Sequence, residues 1–182
     1  AGAPAREREA EGPGWASPRP SLDGLRRLTR KLSGQRLGRR ASKSRPNLQG
    51  QWVCTQTWGL DDFLKSCGVS KLQRLAAASA PWPSWEFQQD GDRVTFVNHS
   101  ALGDLREDFQ VGGPEYVAVD GHRQRVTCRA FWEGEALVTE KRGPQGHFRE
   151  ERRLDAEGLL HFVLRGLEPS RGGSWGRTFR RK

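Results

Sequence analysis

Two stretches toward the end of the sequence place charged and aromatic residues at every second position. In HFREERRL, the residues Phe148, Glu150 and Arg152 share one side of an extended chain. In SWGRTFRR, Arg177 and Phe179 share one side. On an exposed strand these charges would be solvated, but in an apolar interior Arg177 needs a counter-charge. That counter-charge is either a ligand carboxylate, which a guanidinium binds with two hydrogen bonds, or Glu150, which would leave a neutralised cavity for an alcohol, an aldehyde or an apolar ligand.

The remaining polar residues do not form a pattern typical of catalysis or of metal binding. The histidines and the three cysteines lack the spacing of metal ligands, and the cysteines are predicted to be unpaired thiols. The sequence contains no GxSxG, P-loop or dinucleotide-binding fingerprint. The adjacent acids Asp61 and Asp62 fall at a predicted helix start, where the helix dipole favours negative charge. We therefore expect a protein that is not an enzyme and that uses no cofactor or metal.

The stretch 50–68 predicts a strand followed directly by a short helix. Its first half has the two-residue period of a strand, which places four residues on one side: Trp52, Cys54, Gln56 and Trp58. After Gly59 the apolar residues follow the i, i+3, i+4, i+7 spacing of an amphipathic helix: Leu60, Phe63, Leu64 and Cys67. A second helical segment covers 69–79 and is stopped by Pro81.

From Ser84 onward, segments with strand periodicity alternate with Asp-Gly, Gly-Gly and Gly-Pro turn signals. The strand segments are 84–88, 93–98, 105–110, 115–119, 123–132, 136–141, 147–154, 159–165 and 174–181. With the opening strand they make ten, which predicts an all-β fold. We expect a ten-stranded, up-and-down antiparallel β-barrel of the clam type, with the helix-turn-helix after the first strand as its lid. A barrel of this size encloses a ligand cavity rather than a packed core.

The first 46 residues differ in composition from the rest of the chain. They carry twelve Lys or Arg and four Asp or Glu, so +8 of the net charge of +9 lies in this segment. Because they contain few apolar residues, we expect a mostly disordered basic extension (1–46) followed by a barrel domain (47–182). Within it, 21–40 has the leucine spacing of a basic amphipathic helix, which would suit a membrane-surface or nuclear-import element. Trp15 is the one aromatic residue in 1–46, so the extension lacks the aromatic side chains on which bases stack. We therefore expect no nucleic-acid partner.

The order of one strand, two helices and nine strands resembles the intracellular lipid-binding proteins, the carriers of fatty acids and retinoids. The resemblance covers 46–181 and rests on strings in the family's order: PNLQGQW, LDDFLKSCGV, QDGD, DFQVG and VDGHRQ. With Phe179 in place of a tyrosine, these strings are most similar to the cellular retinol-binding branch. The resemblance implies a monomeric cytoplasmic carrier of a retinoid (a vitamin A derivative) or a long-chain fatty acid, with a nuclear fraction if the extension acts in import.

The resemblance also implies a ligand site, because proteins of this family bind the head group of the ligand with residues of the eighth and tenth strands. The implied and candidate ligand-binding residues are Phe148, Glu150, Arg152, Arg177, Phe179, Trp52, Trp85 and Asn98. Whether Glu150 or Arg152 faces the cavity stays open. Trp85 departs from the retinol carriers, which have a lysine there, and this departure disfavours retinol itself. Four residues are expected to line the inner face of the lid and to form the portal: Leu60, Phe63, Leu72 and Leu75.

Two functions are consistent with the sequence. The first is a carrier that holds one hydrophobic molecule in the lidded barrel and contacts membrane surfaces transiently through the outer side of its helices, at Lys71 and Arg74. The second is a degenerate barrel without a ligand, which acts as an interaction module through its basic N-terminal extension. Trp85 and the tryptophan- and proline-rich string PWPSW favour the second function.

Overall fold

The computed structural model describes residues 45–101, 103–168 and 173–182. The predictions for the basic extension, including the amphipathic segment 21–40, lie outside the described residues apart from its last two positions. In the described ranges, neither helix has the length and apolar character needed to cross a lipid bilayer.

The described chain forms ten strands and two helices in the predicted order. The strands are β1 Gly50–Trp58, β2 Ser84–Asp90, β3 Arg93–His99, β4 Leu105–Gln110, β5 Tyr116–Val119, β6 Arg125–Glu133, β7 Ala136–Gly143, β8 Gly146–Leu154, β9 Leu160–Gly166 and β10 Ser174–Arg181. The helices are α1 Leu60–Ser66 and α2 Lys71–Ser79, and both lie between β1 and β2. The predicted all-β class and the element order are confirmed.

The strands form one antiparallel sheet that nearly closes into a barrel. The order in the sheet is β4-β3-β2-β1-β10-β9-β8-β7-β6-β5, so the first and last strands pair with each other. Strands β4 and β5 are the two ends of this sheet, and side chains bridge the seam between them. The rings of Phe109 and Tyr116 stack with centroids 5.1 Å apart, and the Tyr116 hydroxyl donates to Glu107 Oε2 at 3.1 Å.

Strand β1 departs from strict alternation in its second half. Its pairing with β10 shifts register between Cys54 and Gln56, which is a β-bulge. Trp52 and Cys54 are buried as predicted, but Gln56 is exposed and Trp58 is 42% exposed. The prediction that all four share one side is therefore wrong, because an extra residue in the bulge reverses the alternation after Cys54.

The turn into α1 depends on glycine. Gly59 adopts φ +69°, a left-handed conformation, and a Cβ there would lie 2.8 Å from the carbonyl oxygen of Ser174. Asp61 and Asp62 occupy the first turn of α1, as the helix dipole favours. Helix α2 begins with a capping box, in which the Ser70 hydroxyl accepts from the backbone N–H of Gln73.

Part of the barrel interior is a packed aromatic core. Its largest buried side chains are Trp52, Trp85, Phe87, Phe96, Phe162 and Phe179. The rings of Trp85 and Phe179 stack at 4.0 Å, and Trp85 meets Phe96 and Phe162 edge to face. Trp85 therefore packs against the core residue Phe179 and also borders a cavity, whose wall includes Phe96 and Phe162.

Candidate ligand-binding site

The barrel encloses a cavity of about 370 Å³ that extends to α1. Apolar residues from α1, β2, β3, β9 and β10 form much of its wall, among them Phe63, Leu64, Trp85, Phe96, Phe162 and Trp175. Five charged side chains on the strands also line it: Glu107, Lys141, Glu150, Arg152 and Arg177. The volume falls in the range of small-molecule sites, roughly 300–1,000 Å³. A mainly apolar wall with a few charged groups suits a hydrophobic molecule with one polar end.

Ion pairs connect β4, β7 and β8 across the cavity wall. Lys141 Nζ lies 2.5 Å from Glu107 Oε1 and 3.3 Å from Glu150 Oε1. The second oxygen of Glu150 accepts a hydrogen bond from Arg152 Nη2 at 2.6 Å. Arg152 Nη1 donates to Thr139 Oγ1 at 3.3 Å. Two cations and two carboxylates thus compensate one another inside the barrel.

The two-residue period of the strands brings these groups together. Thr139 and Lys141 are two positions apart on β7, and Glu150 and Arg152 are two positions apart on β8, so each pair faces the same side. In the ladder between these strands Thr139 lies opposite Glu150. Both Glu150 and Arg152 therefore face the interior, which answers the question that the sequence left open.

Three aromatic rings surround the Arg152 guanidinium. Its central carbon lies 4.9 Å from the ring centre of Phe96, 5.5 Å from that of Phe162 and 5.6 Å from that of Trp85. Cation–π attraction of this kind is strongest where water is excluded, and Arg152 is 3% exposed. The guanidinium is held in place by the rings and by Glu150.

Burial and charge pairing act in opposite directions on the ionised groups. Burial alone would raise the pKa of Glu150, but Lys141 and Arg152 outweigh it and hold that pKa below its ordinary value. Burial alone would lower the pKa of Lys141, but Glu107 and Glu150 together raise it. Both net shifts favour the charged forms, so Glu150 and Lys141 stay ionised at neutral pH.

Arg177 lines the same cavity outside this network. Its guanidinium carbon lies 5.0 Å from the ring centre of Trp175, and its Nε is buried without a hydrogen-bond partner. Burial lowers the pKa of this guanidinium. No acidic side chain among the described residues forms an ion pair with it. The alternative in which Glu150 neutralises Arg177 is not found, because the two oxygens of Glu150 contact Lys141 and Arg152.

Most of the predicted ligand-binding residues lie on the cavity wall. Six of them line it: Phe148, Glu150, Arg152, Arg177, Trp85 and Asn98. Trp85 Nε1 donates to Asn98 Oδ1 at 3.1 Å, which fixes both side chains. Trp52 and Phe179 instead lie in the packed core and do not reach the cavity. Phe179 is covered by Trp85, and Trp52 turns toward Leu48, whose carbonyl oxygen accepts from Trp52 Nε1 at 2.9 Å.

The lid differs from its prediction in the orientation of α2. Phe63 of α1 is buried, lines the cavity and meets Phe148 edge to face at 6.3 Å. Leu72 and Leu75 are 79% and 56% exposed, so the prediction that they line the inner face is wrong. The physical reason is that the polar side of α2 turns toward α1.

Arg74 makes the contacts that set this orientation. Its Nε donates to Asp61 Oδ1 at 2.8 Å, and its Nη1 donates to the carbonyl oxygen of Val69 at 3.0 Å. The prediction that Arg74 points outward with Lys71 is therefore wrong for Arg74, which is half-buried, while Lys71 is exposed. Leu60 is half-buried and lies outside the cavity wall.

Sequence reasoning missed Glu107 and Lys141. Glu107 shares a strand face with Leu105 and Phe109, two positions away on either side. Lys141 shares a face with the buried residues Leu137 and Thr139, so the two-residue period was a usable signal for the inward direction of both charges. Leu64 of α1 and Cys67, which directly follows the helix, were assigned to the helix stripe and line the cavity. Across the described residues, no group of three His, Cys, Asp or Glu side chains is placed to hold a metal ion.

Comparison with known proteins agrees with this architecture. The chain matches no protein-family model. It is 34% identical over 95 residues to cellular retinoic acid-binding protein 1 of Homo sapiens, covering 51% of this chain and 68% of that protein. It is 30% identical over 125 residues to cellular retinoic acid-binding protein 2 of Bos taurus, covering 63% and 88%. Among solved structures, the REP1-NXSQ fatty acid transporter superposes with a TM-score of 0.63 at 21% identity, covering 74% of this chain and 96% of that one.

The fold and the cavity define the class of small lidded β-barrels that enclose a ligand. The chain belongs to the intracellular lipid-binding protein family, one of the calycin barrels. The resemblance stated from the sequence is confirmed at this level. Placement in the retinol-binding branch stays a prediction, since the two relatives above are named for retinoic acid.

Proposed function

We propose that this protein is a non-enzymatic intracellular carrier of one small hydrophobic molecule that ends in a carboxylate, either a retinoid acid or a long-chain fatty acid. The observation that carries this proposal is Arg177, a half-buried residue on the wall of a mainly apolar cavity, whose Nε has no hydrogen-bond partner and which pairs with no carboxylate of the described residues. A buried cation without a partner is costly, and a ligand carboxylate would remove that cost with charge-assisted hydrogen bonds.

The two parts of the site would contribute differently to binding. Burial of the ligand's hydrocarbon against residues such as Phe63 and Trp175 would supply most of the affinity, at about 25 cal/mol per Å² of apolar surface. The pairing with Arg177 would add about 1.5–3 kcal/mol and would fix the ligand's orientation. Removal of the guanidinium should therefore weaken binding about tenfold to a hundredfold.

A carboxylate head group suits this cavity better than an alcohol. Retinol would leave Arg177 without a counter-charge, and the family's retinol-contacting lysine is replaced by Trp85, which donates its one N–H to Asn98. The relatives named for retinoic acid and the superposed fatty acid transporter support an acidic ligand.

The test is a fluorescence titration of the full chain with retinoic acid, oleic acid and retinol. Quenching of tryptophan emission reports retinoic acid and retinol, and displacement of a fluorescent fatty acid reports oleic acid. Arg177→Gln is the test variant, and Arg180→Gln is the matched control because Arg180 is an exposed arginine on the same strand.

We expect the wild type and Arg180→Gln to bind the acids alike and Arg177→Gln to bind them at least tenfold more weakly. A folded wild type that binds none of the three ligands at micromolar concentration would overturn the carrier proposal. That result would favour the second function, an interaction module that acts through residues 1–46.

We further propose that the protein is a monomer in the cytoplasm and that it takes up its ligand during brief contact with an anionic membrane surface. The supporting observation is α2, which exposes Leu72 and Leu75 next to the exposed cation Lys71. Apolar side chains flanked by a cation suit insertion between anionic head groups. Transfer of a fluorescent fatty acid to anionic vesicles should be slower for Leu72→Ser/Leu75→Ser than for the wild type, and equal rates would contradict this part of the proposal.

A further inference from the structure

Glu150 contacts two of the Lys and Arg side chains that line the cavity. Its Oε2 accepts from Arg152 Nη2 at 2.6 Å, and its Oε1 lies 3.3 Å from Lys141 Nζ. Lys141 is shared with Glu107 at 2.5 Å. Both oxygens of Glu150 are therefore in contact with cations, and each of the two cations has a carboxylate partner. Arg152 Nε, like Arg177 Nε, is buried without a hydrogen-bond partner.

The charges on the cavity wall leave one cation unmatched. Lys141 and Arg152 are matched by Glu107 and Glu150, while no described carboxylate pairs with Arg177. The further acid on the wall, Asp120, lies in the turn after β5 and accepts from the backbone N–H groups of His122 and Gln124. A ligand carboxylate that enters this cavity meets one available guanidinium, although two guanidinium groups line the wall.

We propose that Glu150 is a specificity-determining residue that restricts a ligand carboxylate to Arg177 by occupying Arg152. This inference rests on the proposed function, since it concerns the same cavity and the same class of ligand. The internal carboxylate competes with the ligand for the second guanidinium. Glu150 therefore lowers the affinity for acids and leaves the affinity for neutral molecules unchanged. As a result, the protein's affinity for an acid exceeds its affinity for the corresponding alcohol by less than it would without Glu150.

The substitution Glu150→Gln tests this directly, because glutamine keeps the shape of the side chain and removes its charge. Arg152 then becomes available to the ligand, and the affinity for retinoic acid should rise about tenfold or more. The affinity for retinol should stay within about twofold, since an alcohol carries no charge. Glu151→Gln is the matched control: Glu151 lies next to Glu150 on β8, faces the other side and pairs with Arg149 at 2.9 Å.

A second variant separates the roles of Glu150 and Arg152 and keeps the cavity's net charge unchanged. The double substitution Glu150→Gln/Arg152→Gln removes the ion pair as a unit, so it avoids an unpaired buried charge if Glu150→Gln alone does not fold. Because Arg152 does not serve the ligand in the wild type, retinoic acid should bind to the double variant within about threefold of the wild type. A loss of tenfold or more in the folded double variant would overturn the inference.

The outcomes distinguish this inference from the proposed function. A rise for retinoic acid alone in Glu150→Gln, with Glu151→Gln unchanged, supports it. No rise in Glu150→Gln, or an equal rise for retinol, overturns it while leaving the carrier proposal intact if Arg177→Gln still loses affinity. A wild type that binds neither retinoic acid nor oleic acid overturns both.

Discussion

The substitution Lys141→Met should destabilise the fold far more than loss of an exposed ion pair. The Lys141 side chain is 15% exposed and contacts Glu107 and Glu150, which are 6% and 11% exposed. Methionine keeps the length and removes the charge, so Glu107 loses the cation that neutralises it. Breaking a buried ion pair by removing one partner costs about 3–5 kcal/mol, and we expect a loss of that size in the free energy of unfolding.

The loss should depend on pH with a definite sign. Lys141 is one of the two cations that hold the pKa of Glu150 below its ordinary value. A carboxylate with a lowered pKa stabilises the fold above its unfolded-state pKa, and this contribution is lost as pH falls through the folded-state pKa. In the variant part of that contribution is already absent, because only Arg152 remains paired with Glu150. The difference between wild type and variant should therefore be largest at about pH 7 and should shrink as pH falls below about 5, toward the lowered folded-state pKa of Glu150.

Urea denaturation followed by tryptophan fluorescence measures both effects. The control is Arg106→Met, which removes a cation from an exposed pair with Asp108, where the side chains are 58% and 57% exposed. Such pairs contribute about 0–1 kcal/mol. A loss below about 1 kcal/mol for Lys141→Met at about pH 7, equal to that of the control, would refute the account of the buried network.

Three further substitutions test the description of the lid and the seam. Leu72→Ser/Leu75→Ser should change the free energy of unfolding by less than about 0.5 kcal/mol per site, because both leucines are exposed; a larger loss in urea denaturation would show that they are packed. Gly59→Ala should cost at least about 1 kcal/mol in the same assay, because alanine disfavours the left-handed conformation and its Cβ would approach a β10 carbonyl; an unchanged midpoint would contradict this. Tyr116→Phe should cost about 1 kcal/mol and speed amide exchange in β4 and β5, because the hydroxyl donates to Glu107 across the seam; unchanged exchange would contradict the bridge.

Much of the fold could be predicted because local signals and tertiary structure agree. The two-residue period and the glycine turns from Ser84 onward give strands whose observed bounds differ from the predicted ones by at most two residues. The bulge after Cys54 could not be predicted, since it depends on how β1 pairs with β10 rather than on any residue type nearby. The orientation of α2 was missed for a similar reason: its leucine spacing indicates a helix, but Arg74 determines which side meets α1.

The candidate site was predictable in its positions and not in its pairings. Strand periodicity places Glu150 and Arg152 on one face of β8 without deciding whether that face is inward, and the structure has both of them and Arg177 on the cavity wall. Which acid meets which base depends on the register between β7 and β8 and on how closely β4 approaches β7 across the barrel, so Lys141 and Glu107 were not identified as candidates. The strand positions of Trp52 and Phe179 also predict an inward direction, and both side chains are buried. Periodicity does not indicate how far along the barrel axis a residue lies, so it could not show that these two pack in the core away from the cavity.

The most direct test of the central claim is carbon-13 NMR of oleate labelled at its carboxyl carbon and bound to the full chain. If Arg177 binds the carboxylate, one bound carboxyl resonance should appear, distinct from free oleate. It should stay in its ionised position from about pH 7 to about pH 5, because a paired guanidinium lowers the pKa of a carboxyl group. The resonance should be lost or should titrate normally in Arg177→Gln. A wild type that shows only free oleate, or a bound resonance that Arg177→Gln leaves unchanged, would contradict the account.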